Sequence, residues 1–316
     1  MRALCFDQQL AFRADYADPR PAPGESIVRV ALAGICGTDL EISRGYMALR
    51  GVPGHEFVGR VTETDDPQLR DKRVVGEINA ACGRCRACIE GMGRHCPERT
   101  VLGILGRDGA FAEFLRLPNE NLLIVPDSLS DEAAVFTEPL AAAYEILEQL
   151  YLGRNRSIAV LGDGRLGAMV AMALRGEGFV PIVAGRHREK LDRLAALGLD
   201  ARDESSLSGK FDCVVDCTGR GTGLARALDL VRPRGTIVLK STAAAGAQIN
   251  LAPVVVNEIT VVGSRCGRFG PALEALASGK VDPRPLINCT FALEDGAAAF
   301  AAAARPPNFK ILLRPS

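Results

Sequence analysis

The stretch that decides the fold is Ser157-Ile158-Ala159-Val160-Leu161-Gly162-Asp163-Gly164-Arg165-Leu166-Gly167. Residues 158–161 form a short apolar run of the kind a buried strand shows, and residues 168–174 read as a helix. Between them Gly162 permits a sharp turn, Gly164 leaves room for a pyrophosphate against the backbone, and Gly167 lets helix and strand pack closely. The helix N-terminus offers free N–H groups to phosphate oxygens, and Arg165 and Leu166, in the turn ahead of it, are placed with the cofactor. A glycine-rich turn alone is a weak signal. The strand before it and the helix after it give it weight.

Downstream, strands and helices alternate: strand 182–184, helix 188–197, strand 213–216, helix 223–230, strand 236–240 and strand 259–262. Such alternation predicts a parallel, doubly wound α/β sheet with crossover helices. Thr218-Gly219 and Ser264-Arg265-Cys266 then fall at the carboxyl ends of strands, where a dinucleotide lies. The second strand runs out through Gly185-Arg186-His187-Arg188. NAD sites place an acid ~20 residues past the glycine turn to bind the ribose hydroxyls. Gly185 stands there instead, and Arg186 and Arg188 suit a phosphate, so this reading favours NADP over NAD. The ordinary alternative is that both arginines begin a solvated helix.

Residues 1–125 have another texture, many short strands separated by turns, with strands expected at 26–33, 73–78, 109–115 and 122–125. Helices are expected at 131–136 and 140–150, and the tail adds helices 271–277 and 297–304 and a strand at 310–313. The 316 residues suffice for two domains of ~150 each. Lys+Arg and Asp+Glu are both 38, so no basic face points to nucleic acid. No run approaches the ~18 apolar residues of a membrane span, and the first residues show no secretory pattern, which makes the cytoplasm the expected compartment.

Of the ten cysteines, Cys82, Cys85, Cys88 and Cys96 crowd together. Four thiolates at this spacing can close a tetrahedron around Zn²⁺ with no open position, a structural site. His95 is an alternative ligand beside Cys96. Cys5, Cys213, Cys217, Cys266 and Cys289 read as core or strand residues. Cys36, His55 and Glu56 form a second constellation. A catalytic zinc needs about three protein ligands and one open place, and Glu138, just before Pro139, is the candidate for the third. Taken singly, Cys36 reads as core, His55 as a satisfied interior histidine, and Glu138 as a helix N-terminal acid.

Together these motifs make the chain resemble the zinc-containing medium-chain dehydrogenase/reductase family, in its alcohol, threonine and polyol dehydrogenase branch. Gly34-Ile35-Cys36-Gly37-Thr38-Asp39, Gly54-His55-Glu56, the four cysteines, Glu138-Pro139-Leu140-Ala141 and the glycine turn occur in the family's order. The resemblance implies a GroES-like β-rich catalytic domain over 1–138, with 268–316 returning to it, and a Rossmann domain over 139–267. It implies that Cys36, His55 and Glu138 or Glu56 hold the catalytic zinc, that Thr38 relays a proton, and that Asp39 orients His55. The activity implied is NAD(P)-linked hydride transfer between an alcohol or polyol and its carbonyl, by a homodimer or homotetramer.

The chain departs from the family in places. Glu41 stands three residues after Thr38, where a histidine is frequent, so Glu41 or water would take the relayed proton. Residues 60–71 lack the usual small residues and look shortened. Tyr46 and Ile104 are guesses for the substrate pocket. A second class of function, an NADP(H)-binding redox sensor without turnover, would not need Cys36, Thr38, His55, Glu56 and Glu138 together. A zinc-free quinone reductase of the same superfamily would lack the four cysteines.

Overall fold

A computed structural model describes residues 1–45, 49–153, 156–241 and 249–315. The chain divides into two compact units, residues 1–138 with 269–316, and residues 139–268. The strands and helices of the first part are β1 (Ala3–Asp7), β2 (Gln9–Arg13), β3 (Glu25–Gly34), α1 (Gly37–Ile42), β4 (Glu56–Glu63), β5 (Arg73–Gly76), β6 (Asn79–Ala80), α2 (Arg86–Ile89), β7 (Thr100–Leu102), β8 (Gly106–Arg107), β9 (Phe114–Pro118), β10 (Leu122–Ile124) and α3 (Asp131–Ala134). Then follow α4 (Thr137–Gln149), β11 (Ile158–Leu161), α5 (Arg165–Gly176), β12 (Ile182–Gly185), α6 (Arg188–Ala196), β13 (Asp200–Asp203), β14 (Phe211–Asp216), α7 (Gly223–Leu230), β15 (Val231–Leu239), α8 (Ala252–Val256) and β16 (Thr260–Gly263). The chain closes with α9 (Phe269–Ala277), β17 (Ile287–Ala292), α10 (Gly296–Ala304) and β18 (Lys310–Arg314).

In the first unit one sheet has the order β10-β5-β4-β3-β18-β17, with β9 also pairing β3. Its middle is antiparallel: Gly34 faces Glu56 across β3 and β4, and Leu312 faces Gly34 across β18 and β3. The last strand of the chain therefore lies beside the strand that leads into Cys36, and the Ile35 N–H donates to the Ile311 carbonyl at 3.0 Å. Phe111, Phe136 and Phe309 are among the largest side chains fully buried in this unit.

The second unit holds a six-stranded sheet in the order β13-β12-β11-β14-β15-β16, every pair parallel. That is the Rossmann order, in which the chain reverses direction across the sheet beside its first strand, here β11. Its core gathers Ala159, Leu161, Ala184, Val214, Leu230 and Ile237 with their neighbours.

Several boundaries differ from those expected. The strand expected at 109–115 starts only at Phe114, because Ala110 and Phe111 give their N–H groups to the carbonyls of Gly54 and Pro53. The helix after the glycine turn begins at Arg165, three residues early, with Gly164 as its N-cap. Helix α4 starts at Thr137, so Glu138 sits inside its first turn and not in a turn ahead of it. Cys289 takes the strand alternative, exposed on β17, while Cys5, Cys213 and Cys217 are buried. The β1–β2 pair, β13, α8 and β17 were not anticipated; β13 reads Asp-Ala-Arg-Asp and lies on a sheet edge, so it carries no apolar run to betray it.

Candidate active site and nucleotide site

The four-cysteine lobe is a local structure. Cys85 caps α2, and all four sulfurs lie within 4.8 Å of one another. Individual separations are 3.5 Å (Cys85–Cys88), 3.7 Å (Cys85–Cys96) and 3.9 Å (Cys82–Cys88). Four Zn–S arms of about 2.3 Å in a tetrahedron put sulfurs about 3.8 Å apart, so the donor set fits a closed zinc site. The backbone N–H groups of Arg84 and Cys85 draw the Cys82 thiol down to about 7, toward the thiolate that zinc takes. Among the described residues this is the one group of three or more such donors packed that tightly. His95 lies outside it, on a short 3₁₀ turn.

A second cluster is assembled from remote segments. Cys36 is the N-cap of α1, and its N–H donates to Asp39 Oδ2 at 2.7 Å, so Asp39 ties down the turn that presents the sulfur. Thr38 Oγ1 is 3.9 Å from Cys36 Sγ. Asp39 is fully buried and its Oδ1 lies 3.3 Å from His55 Nδ1. His55, just ahead of β4, is within hydrogen-bonding reach of the Cys36 side chain. Burial alone would push its imidazole down, but Asp39 and Cys36 outweigh burial and hold it well above its ordinary range.

Glu56 opens β4 and is buried; its Oε2 meets Lys310 Nζ, at the start of β18, in a very short ion pair. The Lys310 ammonium also sits 5.5 Å from the centre of the Phe136 ring, two residues before Glu138. Burial pushes the Glu138 carboxyl up to about 7; His55 and Lys310 pull it back, while Glu56 and Asp39 add to the rise. Three buried atoms of this cluster, Asp39 Oδ1, His55 Nδ1 and Glu56 Oε1, have no well-formed hydrogen bond. Two of these, Asp39 Oδ1 and His55 Nδ1, face each other, which leaves Glu56 Oε1 as the buried oxygen that calls for a ligand. Glu41 turns outward and pairs with Arg44 at 2.7 Å. Ile104 packs on Phe6, Ile42 and Leu49, and Tyr46 lies outside the described residues.

In the second unit the glycine turn has the geometry a dinucleotide needs. Gly162 has φ +111°, and a Cβ on Gly167 would stand 1.9 Å from the Gly162 carbonyl oxygen. A Cβ on Gly164 would meet nothing within 4 Å, so the mouth of the turn is open where α5 begins. That combination fits a pyrophosphate on the helix N-terminus, beside Arg165 and Leu166. Thr218 donates to Asp216 Oδ1 from both its N–H and its hydroxyl (2.9 and 2.7 Å), and the Gly219 N–H donates to Ser241 Oγ at 2.8 Å. Ser264 Oγ and the Arg265 carbonyl accept from the buried Lys240 ammonium at 3.1 and 2.8 Å, and Cys266 follows them half-buried.

At the end of β12 the structure corrects one inference. The carboxylate missing from position 185 is present in space, because Asp163 reaches over from the glycine turn. Its Oδ2 accepts from the N–H groups of Arg186 and His187, both at 2.7 Å, and its Oδ1 lies 3.0 Å from His187 Nδ1. A Cβ on Gly185 would stand 2.3 Å from Asp163, which is why glycine is needed there. Burial would raise the Asp163 carboxyl, but the His187 N–H and its other donors keep it below the usual carboxylate range. Arg186 is turned to Glu204, and Arg188 is a surface residue paired with Asp192.

Residues 22–127 match the alcohol dehydrogenase GroES-like domain, and residues 166–278 match the zinc-binding dehydrogenase domain. The chain is 32% identical to an L-threonine 3-dehydrogenase of Streptomyces coelicolor, over 95% of this chain and 94% of that one. The alcohol dehydrogenase RspB of Escherichia coli CFT073, solved with NADH, superposes with a TM-score of 0.92 at 27% identity, covering 99% of both chains. A zinc-binding dehydrogenase of Sinorhizobium meliloti 1021, solved with NADP, gives 0.90 at 25% identity, again over 99% of both. The chain belongs to the zinc-type medium-chain dehydrogenase family. It is a zinc-dependent, nicotinamide-linked oxidoreductase of CH–OH groups.

Asp163, Lys240, Lys310, Glu204 and Arg220 were not singled out from sequence. Asp163 carried a usable signal, an acid inside the glycine motif. Lys310 carried none, since it meets Glu56 across 254 positions of chain.

Proposed function

We propose that this protein interconverts a small secondary alcohol or polyol and its ketone, with Cys36, His55 and Glu138 as ligands of a catalytic zinc and NADP as the preferred cofactor. The observation that carries the reading is the convergence of Cys36, His55, Glu138, Asp39 and Glu56 on one buried cluster, in which Glu56 Oε1 lacks a partner. Zinc in such a set supplies a Lewis acid that lowers the pKa of a bound oxygen toward neutrality. Asp39 holds the Cys36 turn and faces His55, fixing both ligands in place. Glu56 is engaged by Lys310, which favours Glu138 as the direct ligand and leaves Glu56 in support. Thr38, beside the Cys36 sulfur, passes the substrate proton outward. With Glu41 turned to Arg44, water takes that proton.

For the cofactor, the Asp163 carboxylate is buried and already accepts from backbone and imidazole donors, which leaves it less available to ribose hydroxyls. Arg186, more than half exposed and held by Glu204 through Nε, keeps guanidinium N–H groups to donate to a phosphate. The domain assignment follows the two compact units, catalytic for 1–138 with the returning tail and nucleotide-binding for the rest. Strand β16 is a sheet edge with Leu251, Val255, Val256 and Val261 exposed nearby, which suits a second copy of the chain and so a homodimer. Cysteines so crowded suit the reducing cytoplasm, and among the described residues no helix is long and apolar enough to cross a membrane. The test is a panel of secondary alcohols and polyols with zinc-loaded protein and NADP, followed at 340 nm. Turnover is expected; silence across the panel with NADP and NAD alike would favour a non-catalytic nucleotide sensor.

A further inference from the structure

We propose that Glu204 is a specificity-determining residue, an internal carboxylate that restrains how strongly the nucleotide site prefers a 2′-phosphate over a free ribose hydroxyl. The inference deepens the NADP reading above and rests on it.

Three side chains at the carboxyl ends of the parallel strands make the case. Glu204 follows β13, Arg186 follows β12 and Arg220 follows β14, while the glycine turn follows β11, which lies between β12 and β14. A single oxygen, Glu204 Oε2, accepts from Arg186 Nε at 2.7 Å and from Arg220 Nη2 at 3.2 Å. Glu204 is only 8% exposed. Its backbone is anchored as well, because its carbonyl accepts from Arg226 Nη2 at 3.3 Å. The carboxylate is therefore built into the protein, and the arginines come to it.

Arg186 and Arg220 each use one edge of the guanidinium on Glu204 and, among the described residues, make no other side-chain hydrogen bond. Both retain exposed surface. Two cations share this one carboxylate, and the neighbouring Asp203 adds a second negative charge that Arg186 also feels. Asp163 accepts from the His187 ring and from two backbone N–H groups, and Arg188 pairs with Asp192. A phosphate dianion arriving here finds two guanidinium groups already gathered, but it must share them with a fixed carboxylate that also repels it. A ribose hydroxyl is uncharged and meets neither effect to the same degree. Glu204 thus gathers the arginines and at the same time limits what they gain from phosphate.

Glu204→Gln keeps the shape and one acceptor but removes the charge. NADPH should then bind about ten-fold more tightly, the scale of one charge contact in a partly hydrated site, while NADH changes less than two-fold. Direct titration of nicotinamide fluorescence on the full chain reads both, and the absence of tryptophan removes the usual background. Arg220→Gln should move the other way, weakening NADPH about ten-fold and NADH less than two-fold. Parallel shifts of both cofactors in either variant, or weaker NADPH binding in Glu204→Gln, would overturn the proposal. Arg186→Ala separates it from the reading beneath it. Equal weakening of NADPH and NADH there removes the phosphate contact itself. Selective NADPH loss there, with an unchanged ratio in Glu204→Gln, removes only the role given to Glu204.

Discussion

The two sulfur-bearing clusters of the first unit are built in opposite ways. The four cysteines of the lobe come from one short stretch between residues 82 and 96, and their sulfurs already stand at tetrahedral spacing. Cys36, His55 and Glu138 come from the cap of α1, the approach to β4 and the first turn of α4, and their surroundings need Lys310 from the last strand. The lobe satisfies its donors among themselves. The second cluster leaves a buried oxygen, Glu56 Oε1, without a hydrogen bond, at a cost of about 1–3 kcal/mol. A site whose task is to hold can be local and closed. A site proposed to accept a substrate has to keep a place open, and here remote segments assemble it.

The sharpest test of that contrast is Cys85→Ser. Zinc in a small closed lobe is worth on the order of 10 kcal/mol of local folding, so the variant should lose one zinc per chain by atomic absorption and be cleaved rapidly by protease near residues 82–96. Turnover per surviving molecule should change little; intact metal content and protease resistance would break the comparison. Cys36→Ser should do the reverse. Its kcat should fall by on the order of a thousand-fold, about 4 kcal/mol, with the melting temperature nearly unchanged. Retained turnover would show that Cys36 does not serve the open site.

Next in size is Lys310→Met, which strands the buried Glu56 carboxylate without its cation. The expected loss is about 3–5 kcal/mol, read as a fall of roughly 10 °C in the melting temperature. Adding Glu56→Gln should recover most of it, and an unchanged melt in the single variant would mean the ion pair does not brace the cluster. The smallest effect belongs to Asp163→Asn, where an acid is held by neutral N–H donors. Because the folded pKa of Asp163 is depressed, its contribution is present above the unfolded value of about 3.9 and lost as pH falls through the folded one. Denaturant melts should show the variant about 1–3 kcal/mol weaker at pH 7, with the gap closing below about pH 4. A gap that stays constant with pH would mean that the charge of Asp163 is not what stabilises the turn.

What sequence could reveal followed how local each feature is. The glycine turn, the strand–helix alternation and the four-cysteine spacing are contiguous, and the parallel sheet of the second unit follows from them. Features made by approach in space stayed hidden. Position 185 looked empty of charge because the acid that fills it belongs to the glycine turn. The cation beside Glu56 lies at the far end of the chain. Strand β13 was invisible because an edge strand rich in Asp and Arg carries no apolar period. Residues 109–115 looked like a strand because they are apolar, yet residues 110 and 111 bond to the loop that carries Gly54.

The place of β18 in its sheet has a consequence for how the molecule is made. The strand pairs with both β3 and β17, so the sheet that begins near residue 25 stays incomplete until residues 310–314 have left the ribosome. The six strands of the parallel sheet are all synthesised by residue 263. Nascent chains generally acquire structure from the N-terminal domain onward. Here the parallel sheet has all its strands before the other sheet does, and Glu56 lacks its cation until Lys310 has been made.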